Sequence, residues 1–273
     1  MHRRQFHACC AASALSLNSS AFVLADEKEA IKPDKGEWGN LTATFLYDGD
    51  PPAQRKIDVD KDAGAFKLPI YFQNLVVDPK SRGIANCLVW YDVPKGERLP
   101  VIHPSYEELA KKEAVIKVAN AEIVPHVTAM WTRQTLRTKS SDHVGHNSFV
   151  HLKSNQSPGE LIPSTAEWTT KYERPEDYPA PISCSIHPWM SGHLLVKDHP
   201  YFGISNQQGK LTIRDLPVGK HTFVLWHEMV GTIKRAKRGG KEEKWKQGRL
   251  TVDIKPGNND LGEIVFKPEW PKR

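Results

Sequence analysis

The stretch "CSIHPWMSGHLLV", residues 184–196, joins a loop of unusual composition to an apolar run. Cys184, His187 and Met190 stand at intervals of three residues in that loop. The apolar run that follows is typical of a strand, so the three side chains lie on a tight loop between two strands. A thiolate, an imidazole and a thioether at these spacings can converge on one soft metal ion.

The loop leaves such an ion one strong ligand short, and a second imidazole must come from elsewhere. The candidate is His146 in "SSDHVGHNSFV", residues 140–150. Two imidazoles, one thiolate and a weak axial thioether form the trigonal arrangement that suits copper, whereas zinc prefers four strong ligands in a tetrahedron. The sequence therefore predicts one copper ion with these ligands: His146, Cys184, His187 and Met190.

The other histidines have simpler interpretations. His143 and His151 could form a different metal pair with His146, but strand alternation turns His143 to the opposite face. We interpret His126 and His227 as partly buried side chains satisfied by backbone groups, with Glu228 as a local partner.

Short runs of β-forming residues, bounded by turn residues, make up most of the chain. Examples are "LTATFLYDGDPP", "IANCLVWYDVPKG", "AVIKVA", "HVTAMW", "RLTVDI" and "GEIVFKP". This spacing predicts an all-β protein built from sandwiches. One stretch, "SYEELAKKEA" over residues 105–114, predicts a connecting helix with Ser105 as its N-cap and Glu108 at the capping-box position.

Residues 113–198 resemble the cupredoxins, the small blue copper proteins of the amicyanin and plastocyanin type. The resemblance rests on "AVIKV", "PHVTAMWTRQTL", the "HN" pair and the form Cys-x2-His-Pro-aromatic-Met-x-Gly. It implies a cupredoxin Greek-key sandwich with a type 1-like copper. Cys184 would give the short covalent bond and His146 the buried imidazole. His187 would be the imidazole at the solvent edge through which electrons pass, and Met190 the long axial ligand.

The same resemblance assigns supporting roles to three neighbours of the ligands. Asn147 would join the two ligand-bearing segments by a hydrogen bond. Pro188 and Trp189 would stiffen the loop and present an apolar face to a redox partner protein that binds transiently.

The segments on either side resemble the two halves of a different sandwich, the carboxypeptidase regulatory-like (transthyretin-like) domain. The first half, residues 38–110, includes the connecting helix, and the second half is residues 199–268. We therefore predict that the cupredoxin sandwich is inserted in, or packed against, a second sandwich. The whole chain resembles planctomycete exported proteins described as methylamine-utilisation or plastocyanin-like, through "HPSYEE", "VPHV", "VGHN", "IHPWMSGHLLVKDHPYF" and "WHE".

Residues 1–25 have the features of an export signal: a basic start, an apolar run and a small residue, Ala25, before the acidic pair that follows. The paired arginines in "HRRQFHACC" resemble a twin-arginine signal. A lipoprotein anchor at Cys9 or Cys10 is the alternative. No other stretch approaches the length of a membrane span, so we predict a periplasmic or secreted protein. Without the leader only Cys87 and Cys184 remain, and Cys87 lies in an apolar run typical of an inert buried thiol.

The formal net charge of +6 falls to +4 when Arg3 and Arg4 leave with the leader. Residues 234–249, "KRAKRGGKEEKWKQGR", carry eight Lys or Arg against two Glu and predict a solvated loop or a docking patch for an acidic partner. Export argues against nucleic acid as a partner.

No nucleophile elbow, zinc-protease motif, phosphate loop or dinucleotide fingerprint is present in the sequence. We therefore predict a non-enzymatic one-electron carrier. Two alternatives stay open, namely a binding or structural envelope module with a vestigial copper site, and a copper storage or delivery protein. The oligomeric state is not predicted.

Overall fold

A computed structural model describes residues 37–94, 96–156 and 160–270, apart from the side chain of Glu160. The predicted leader, residues 1–25, lies outside these ranges. Within them the fold is an all-β sandwich structure, as predicted. The helices in the described ranges are all too short to cross a bilayer.

The strands fall into three groups along the chain. We call residues 113–198 the central segment. Two strands precede it: β1 (Trp38–Tyr47) and β2 (Leu88–Tyr91). Nine lie within it: β3 (Ala114–Ala119), β4 (Glu122–Val124), β5 (Val127–Trp131), β6 (Leu136–Ser140), β7 (His146–Val150), β8 (Glu160–Ile162), β9 (Glu167–Thr170), β10 (Ala180–Ser183) and β11 (Ser191–Lys197). Eight follow: β12 (Phe202–Ile204), β13 (Lys210–Pro217), β14 (Gly219–His227), β15 (Gly231–Thr232), β16 (Arg235–Arg238), β17 (Lys241–Lys244), β18 (Arg249–Ile254) and β19 (Gly257–Phe266).

Four sheets result, and each draws its strands either from the central segment or from the flanking ones. Sheet 1 has the order β13-β1-β19-β16-β17, and sheet 2 has the order β12-β2-β14-β15 with β18 paired to β14. Sheet 3 has the order β5-β11-β10-β7-β8, and sheet 4 has β4-β3-β6-β9. The domain boundaries drawn from the sequence stay a prediction.

The sheets are stacked in numerical order, because three buried clusters lie between them. The first fills the space between sheets 1 and 2 and includes Phe45 and Phe223. The second lies between sheets 3 and 4 and includes Ile116 and Leu194. The third, smaller cluster joins sheet 2 to sheet 3.

Sheets 2 and 3 are therefore covered on both faces, which explains the unbroken apolar runs in their central strands. In β2, the side chains of Val89 and Tyr91 enter the first cluster, whereas Leu88 and Trp90 enter the third. The strand β11, which follows the ligand loop, is divided between two clusters in the same way.

The predicted helix over residues 105–114 is wrong in length. A 3₁₀ turn at Pro104–Tyr106 leads into a single α-helical turn, α1 (Glu107–Ala110), and β3 begins at Ala114. The side chain of His103 accepts the backbone N–H of Ser105 and so takes the capping role assigned to Ser105. The β-branched residues of "AVIKVA" pair in sheet 4, which ends the helix early.

The basic stretch at 234–249 is also not a plain loop. Residues 235–244 within it form the hairpin of β16 and β17, and β16 pairs with β19 in sheet 1. Ala236 and Trp245 are buried in the first cluster. Alternation along the hairpin sends these two side chains inward and leaves most of the charged ones on the surface.

Candidate metal centre

Cys184 directly follows β10 and begins the connection to β11. Its Sγ accepts two backbone N–H groups, from His187 and from Asn147, each at 3.4 Å. The bond from Asn147 joins the two ligand-bearing segments, and it comes from the backbone rather than the side chain. The thiol is 4% exposed, so it is shielded from water by the loop that carries it.

The structure brings His146 to the loop, because β7 pairs with β10 and starts at this residue. The Nδ1 atoms of His146 and His187 face each other at 3.1 Å. One ligand atom from each histidine and the sulfur of Cys184 all lie within 4.8 Å of one another. Both imidazoles are 0% exposed, so three of the four predicted ligands converge on one buried point.

The spacing of the two imidazoles fits a shared metal ion. Imidazole nitrogens bind metals such as zinc at about 2.0 Å, so nitrogens 3.1 Å apart would subtend an angle of about 100° at the ion. Met190, the fourth predicted ligand, is 3% exposed and lies in the same buried cluster as Cys184. The two imidazoles and the thiol are thus compatible with a soft transition metal in both donor type and spacing.

Each histidine also has its far nitrogen held by a carboxylate. His146 Nε2 lies 2.9 Å from Asp142 Oδ2, and His187 Nε2 lies 3.0 Å from Asp62 Oδ2. Such carboxylate partners fix the ring orientation and tautomer of metal-binding histidines and raise their basicity. With the Nε2 atoms engaged in this way, both rings direct Nδ1 toward Cys184.

Asp142 is itself fixed by the turn between β3 and β4. Its two carboxylate oxygens accept the backbone N–H groups of Asn120 at 2.5 Å and Ala121 at 2.9 Å. Both turn residues have positive φ angles, which expose those N–H groups to the carboxylate. The sheet 4 turn therefore helps to position a ligand that belongs to sheet 3.

The site is covered by a segment from outside the central part of the chain. Ile57, Phe66 and Ile70 are buried in the second cluster. The ring centroid of Phe66 lies 5.4 Å from that of His187 and 6.5 Å from that of His146. The expectation that His187 lies at the solvent edge is therefore wrong, because Phe66 and the loop at Asp62 close over it.

The two residues that follow His187 are less buried than His187 itself. Pro188 is exposed, and Trp189 is partly exposed with its ring centroid 5.2 Å from that of His187. The apolar docking face expected of these two residues stays a prediction.

The ionisation of the site without metal is set by hydrogen bonds that outweigh burial. Burial opposes protonation of His146, but its bonds with Asp142 and Cys184 raise its pKa to about 9. Burial opposes ionisation of Cys184, whereas its bonds with His146 and with backbone N–H groups lower its pKa to about 6. At pH 7 the two form a thiolate and imidazolium pair, so a metal ion that binds here displaces a proton from His146.

Neither His143 nor His151 joins this group. His143 is exposed, and His151 is exposed with its Nε2 at 2.8 Å from Ser183 Oγ. Cys87 is fully buried in the first cluster, where burial raises the pKa of its thiol. The predicted burial of Cys87 is confirmed.

Sequence reasoning missed three residues of the site, namely Asp62, Phe66 and Asp142. Asp142 carried a usable signal, since it stands four residues before His146 and is followed by a β-type run. Asp62 and Phe66 carried none, because they lie in the polar stretch "DVDKDAGAFK", more than a hundred residues before His187.

The Asp62 carboxylate can be removed without leaving a buried cavity, because its side chain is 40% exposed. We expect Asp62→Ala to weaken copper binding by about 10- to 100-fold, the usual effect of losing a hydrogen-bond partner of a metal-bound histidine. Competition with a copper chelator measures it. The control is Asp60→Ala, which removes an exposed carboxylate two residues away. Equal affinities in the two variants would remove Asp62 from the site.

No protein-family model matches the sequence, and no curated protein matches it. Similar solved structures include a Cu-containing nitrite reductase from Thermus scotoductus, with 16% identity and a TM-score of 0.29 over 38% of this chain and 25% of that chain. A purple cupredoxin from Nitrosopumilus maritimus has 18% identity and a TM-score of 0.27 over 31% of this chain and all of that chain. An amicyanin mutant has 15% identity and a TM-score of 0.29 over 33% of this chain and 88% of that chain. These likenesses are low and partial, so the case for a metal rests on the side chains themselves.

Proposed function

We propose that this chain is an exported copper protein in which His146, Cys184, His187 and Met190 hold one type 1-like ion. The observation that carries the proposal is the convergence of a buried thiol and two buried imidazoles, with the two Nδ1 atoms 3.1 Å apart. A thiolate, two imidazoles and a thioether match the softness and trigonal preference of copper better than those of zinc.

The function that best fits this arrangement is one-electron transfer without a bound substrate. Bound copper would supply a redox couple that takes up and gives back one electron. The residues around it keep the donor atoms in place: two carboxylates orient the imidazoles, two backbone N–H groups hold the sulfur, and Phe66 excludes water. Donors that are fixed in advance need little rearrangement when the charge of the ion changes.

Electrons would enter and leave near the loop that carries the ligands. Pro188 is exposed, and the partly exposed Trp189 lies beside His187. A redox partner protein that docks briefly on this small apolar surface fits the size of such encounters. We place the protein in the periplasm or outside the cell, in keeping with its leader-like start.

The test is a copper titration of the purified protein, followed by repeated reduction with ascorbate and reoxidation with ferricyanide. We expect one copper per chain and an intense visible band that appears on oxidation and disappears on reduction, over many cycles and without loss of metal. A copper-loaded protein that shows no such band in either state would overturn the proposal. Release of the copper to a chelator in each cycle would favour storage or delivery instead.

A further inference from the structure

A second group of metal-binding side chains lies in the layer between sheets 2 and 3. His126 directly precedes β5, His193 lies in β11, and Glu228 directly follows β14. One ligand atom from each of the three lies within 4.8 Å of the other two. The expectation that backbone groups satisfy His126 is wrong, and Glu228 pairs across this layer with His126.

Two imidazole nitrogens converge here on one carboxylate oxygen. Glu228 Oε2 lies 2.5 Å from His126 Nε2 and 3.6 Å from His193 Nδ1. The side chains are 5%, 15% and 11% exposed for His126, Glu228 and His193. The cluster is therefore largely shielded from water, and Glu228 gives it one partly open side.

The backbone fixes the two histidines side by side. The strands β5 and β11 are parallel neighbours, and His193 donates its N–H to the carbonyl oxygen of His126 at 2.8 Å. This approach requires glycine at position 192, because a Cβ there would lie 2.9 Å from the same carbonyl oxygen. The histidine pair thus depends on how the strands meet rather than on a flexible loop.

His193 lacks the hydrogen bond that a buried imidazole normally makes. Its Nδ1 is buried with no hydrogen-bond partner among the described residues, and 3.6 Å to Glu228 is too long for one. Burial lowers the pKa of His193 to about 4, so the ring is neutral at pH 7, which is the form that binds metals. A cation between the ring and the carboxylate would satisfy both.

The carboxylate is held by a further residue. The side-chain amide of Asn74 donates to Glu228 Oε1, which leaves Oε2 for the two histidines. Hydrogen-bonded carboxylates of this kind are typical of metal ligands, whose outer partners fix their orientation.

We propose that His126, His193 and Glu228 bind one divalent metal ion of the zinc type where sheet 2 meets sheet 3. Two imidazoles and one glutamate form a known zinc ligand set, with the fourth position left for water. Tetrahedral ligand atoms at about 2.0 Å from zinc lie about 3.3 Å apart. Entry of the ion would therefore lengthen the distance between His126 Nε2 and Glu228 Oε2, now 2.5 Å, by about 1 Å. Sheet 3 supplies the two histidines, and Glu228 follows the last residue of β14 in sheet 2. The ion would therefore join the two sheets.

The test uses Cys184→Ala protein, which lacks the thiolate of the first site, in equilibrium dialysis against Zn²⁺ with metal analysis. We expect one zinc per chain, and we expect Glu228→Gln in this background to weaken zinc binding at least about 100-fold, because it alters a ligand rather than an outer partner. The matched control is Glu122→Gln, a nearby carboxylate that accepts a hydrogen bond from Gln73. Equal zinc affinity in the two variants would overturn the proposal.

A second measurement needs no substitution among the three ligands. One equivalent of Zn²⁺ should shift the imidazole NMR signals of His126 and His193 in Cys184→Ala protein, and unchanged signals would overturn the site even if Glu228→Gln failed to fold. Because the copper spectrum is measured on the unsubstituted protein, either failure leaves the copper proposal standing.

Discussion

Replacing Cys184 with alanine is expected to abolish the intense visible absorption of the copper-loaded protein. The band arises from charge transfer between a thiolate and copper, and Cys184 supplies the only sulfur anion near the paired imidazoles in the described part of the chain. The low pKa of this thiol, about 6, means that the thiolate is already present at neutral pH. An absorption spectrum of protein loaded with one equivalent of copper measures the effect.

Cys87→Ala is the matched control, because it removes the other described thiol, which is also buried and lies in a different core. We expect the band to be retained, at a cost of about 1 kcal/mol in stability, the scale of one buried methylene-sized group. A band of full intensity in Cys184→Ala, or its loss in Cys87→Ala, would show that the sulfur ligand has been misassigned.

Copper is expected to raise the melting temperature by about 8 to 16 °C. An ion that binds only the folded state, present free at a thousand times its Kd, stabilises the protein by about 4 kcal/mol. In a protein of this size, 1 kcal/mol shifts Tm by about 2 to 4 °C. Differential scanning calorimetry with and without copper measures the shift.

The same scan on Cys184→Ala separates this site from adventitious binding. Without the thiolate, the copper-dependent shift should fall to a small fraction of its value in the unsubstituted protein. A shift of equal size in both proteins would mean that the stabilising ion is bound elsewhere.

The ligand loop could be predicted from the sequence because its residue types and spacing leave few chemical options. A cysteine, a histidine and a methionine three residues apart, between two strand-like runs, lie close together in any compact fold of that segment. His146 was harder to assign, since its place depends on which strand pairs with β10, and the neighbouring asparagine provided the signal through family resemblance.

The cover over the site could not be predicted, because contacts between distant segments leave no local pattern. Asp62 and Phe66 reach His187 from a stretch whose composition is typical of a surface loop, and their role depends on how that stretch packs against the second cluster. The burial of His187 follows from the same contact, and the solvent-edge position predicted for this residue was wrong for the same reason.

The predictions of a helix over residues 105–114 and of a loop over residues 234–249 were wrong for a different physical reason. The capping pattern around Ser105 is a local preference, and strand pairing from Ala114 onward outweighs it. In the basic stretch, the high charge hid the alternation that places Ala236 and Trp245 in the core.

The group formed by His126, His193 and Glu228 depends on two strands from distant parts of the chain. His126 directly precedes β5, and Glu228 directly follows β14. His126 and Glu228 are about a hundred residues apart in sequence. Nothing near either residue indicates the other, so the cluster becomes visible only when sheet 2 lies on sheet 3.

The most direct measurement is anomalous X-ray diffraction at the copper edge, from crystals of protein loaded with one equivalent of copper. We predict one strong peak within bonding distance of His146 Nδ1, His187 Nδ1 and Cys184 Sγ, with the sulfur of Met190 on the axial side. A map with no peak between these atoms, or with its strongest peak at another place in the molecule, would contradict the account.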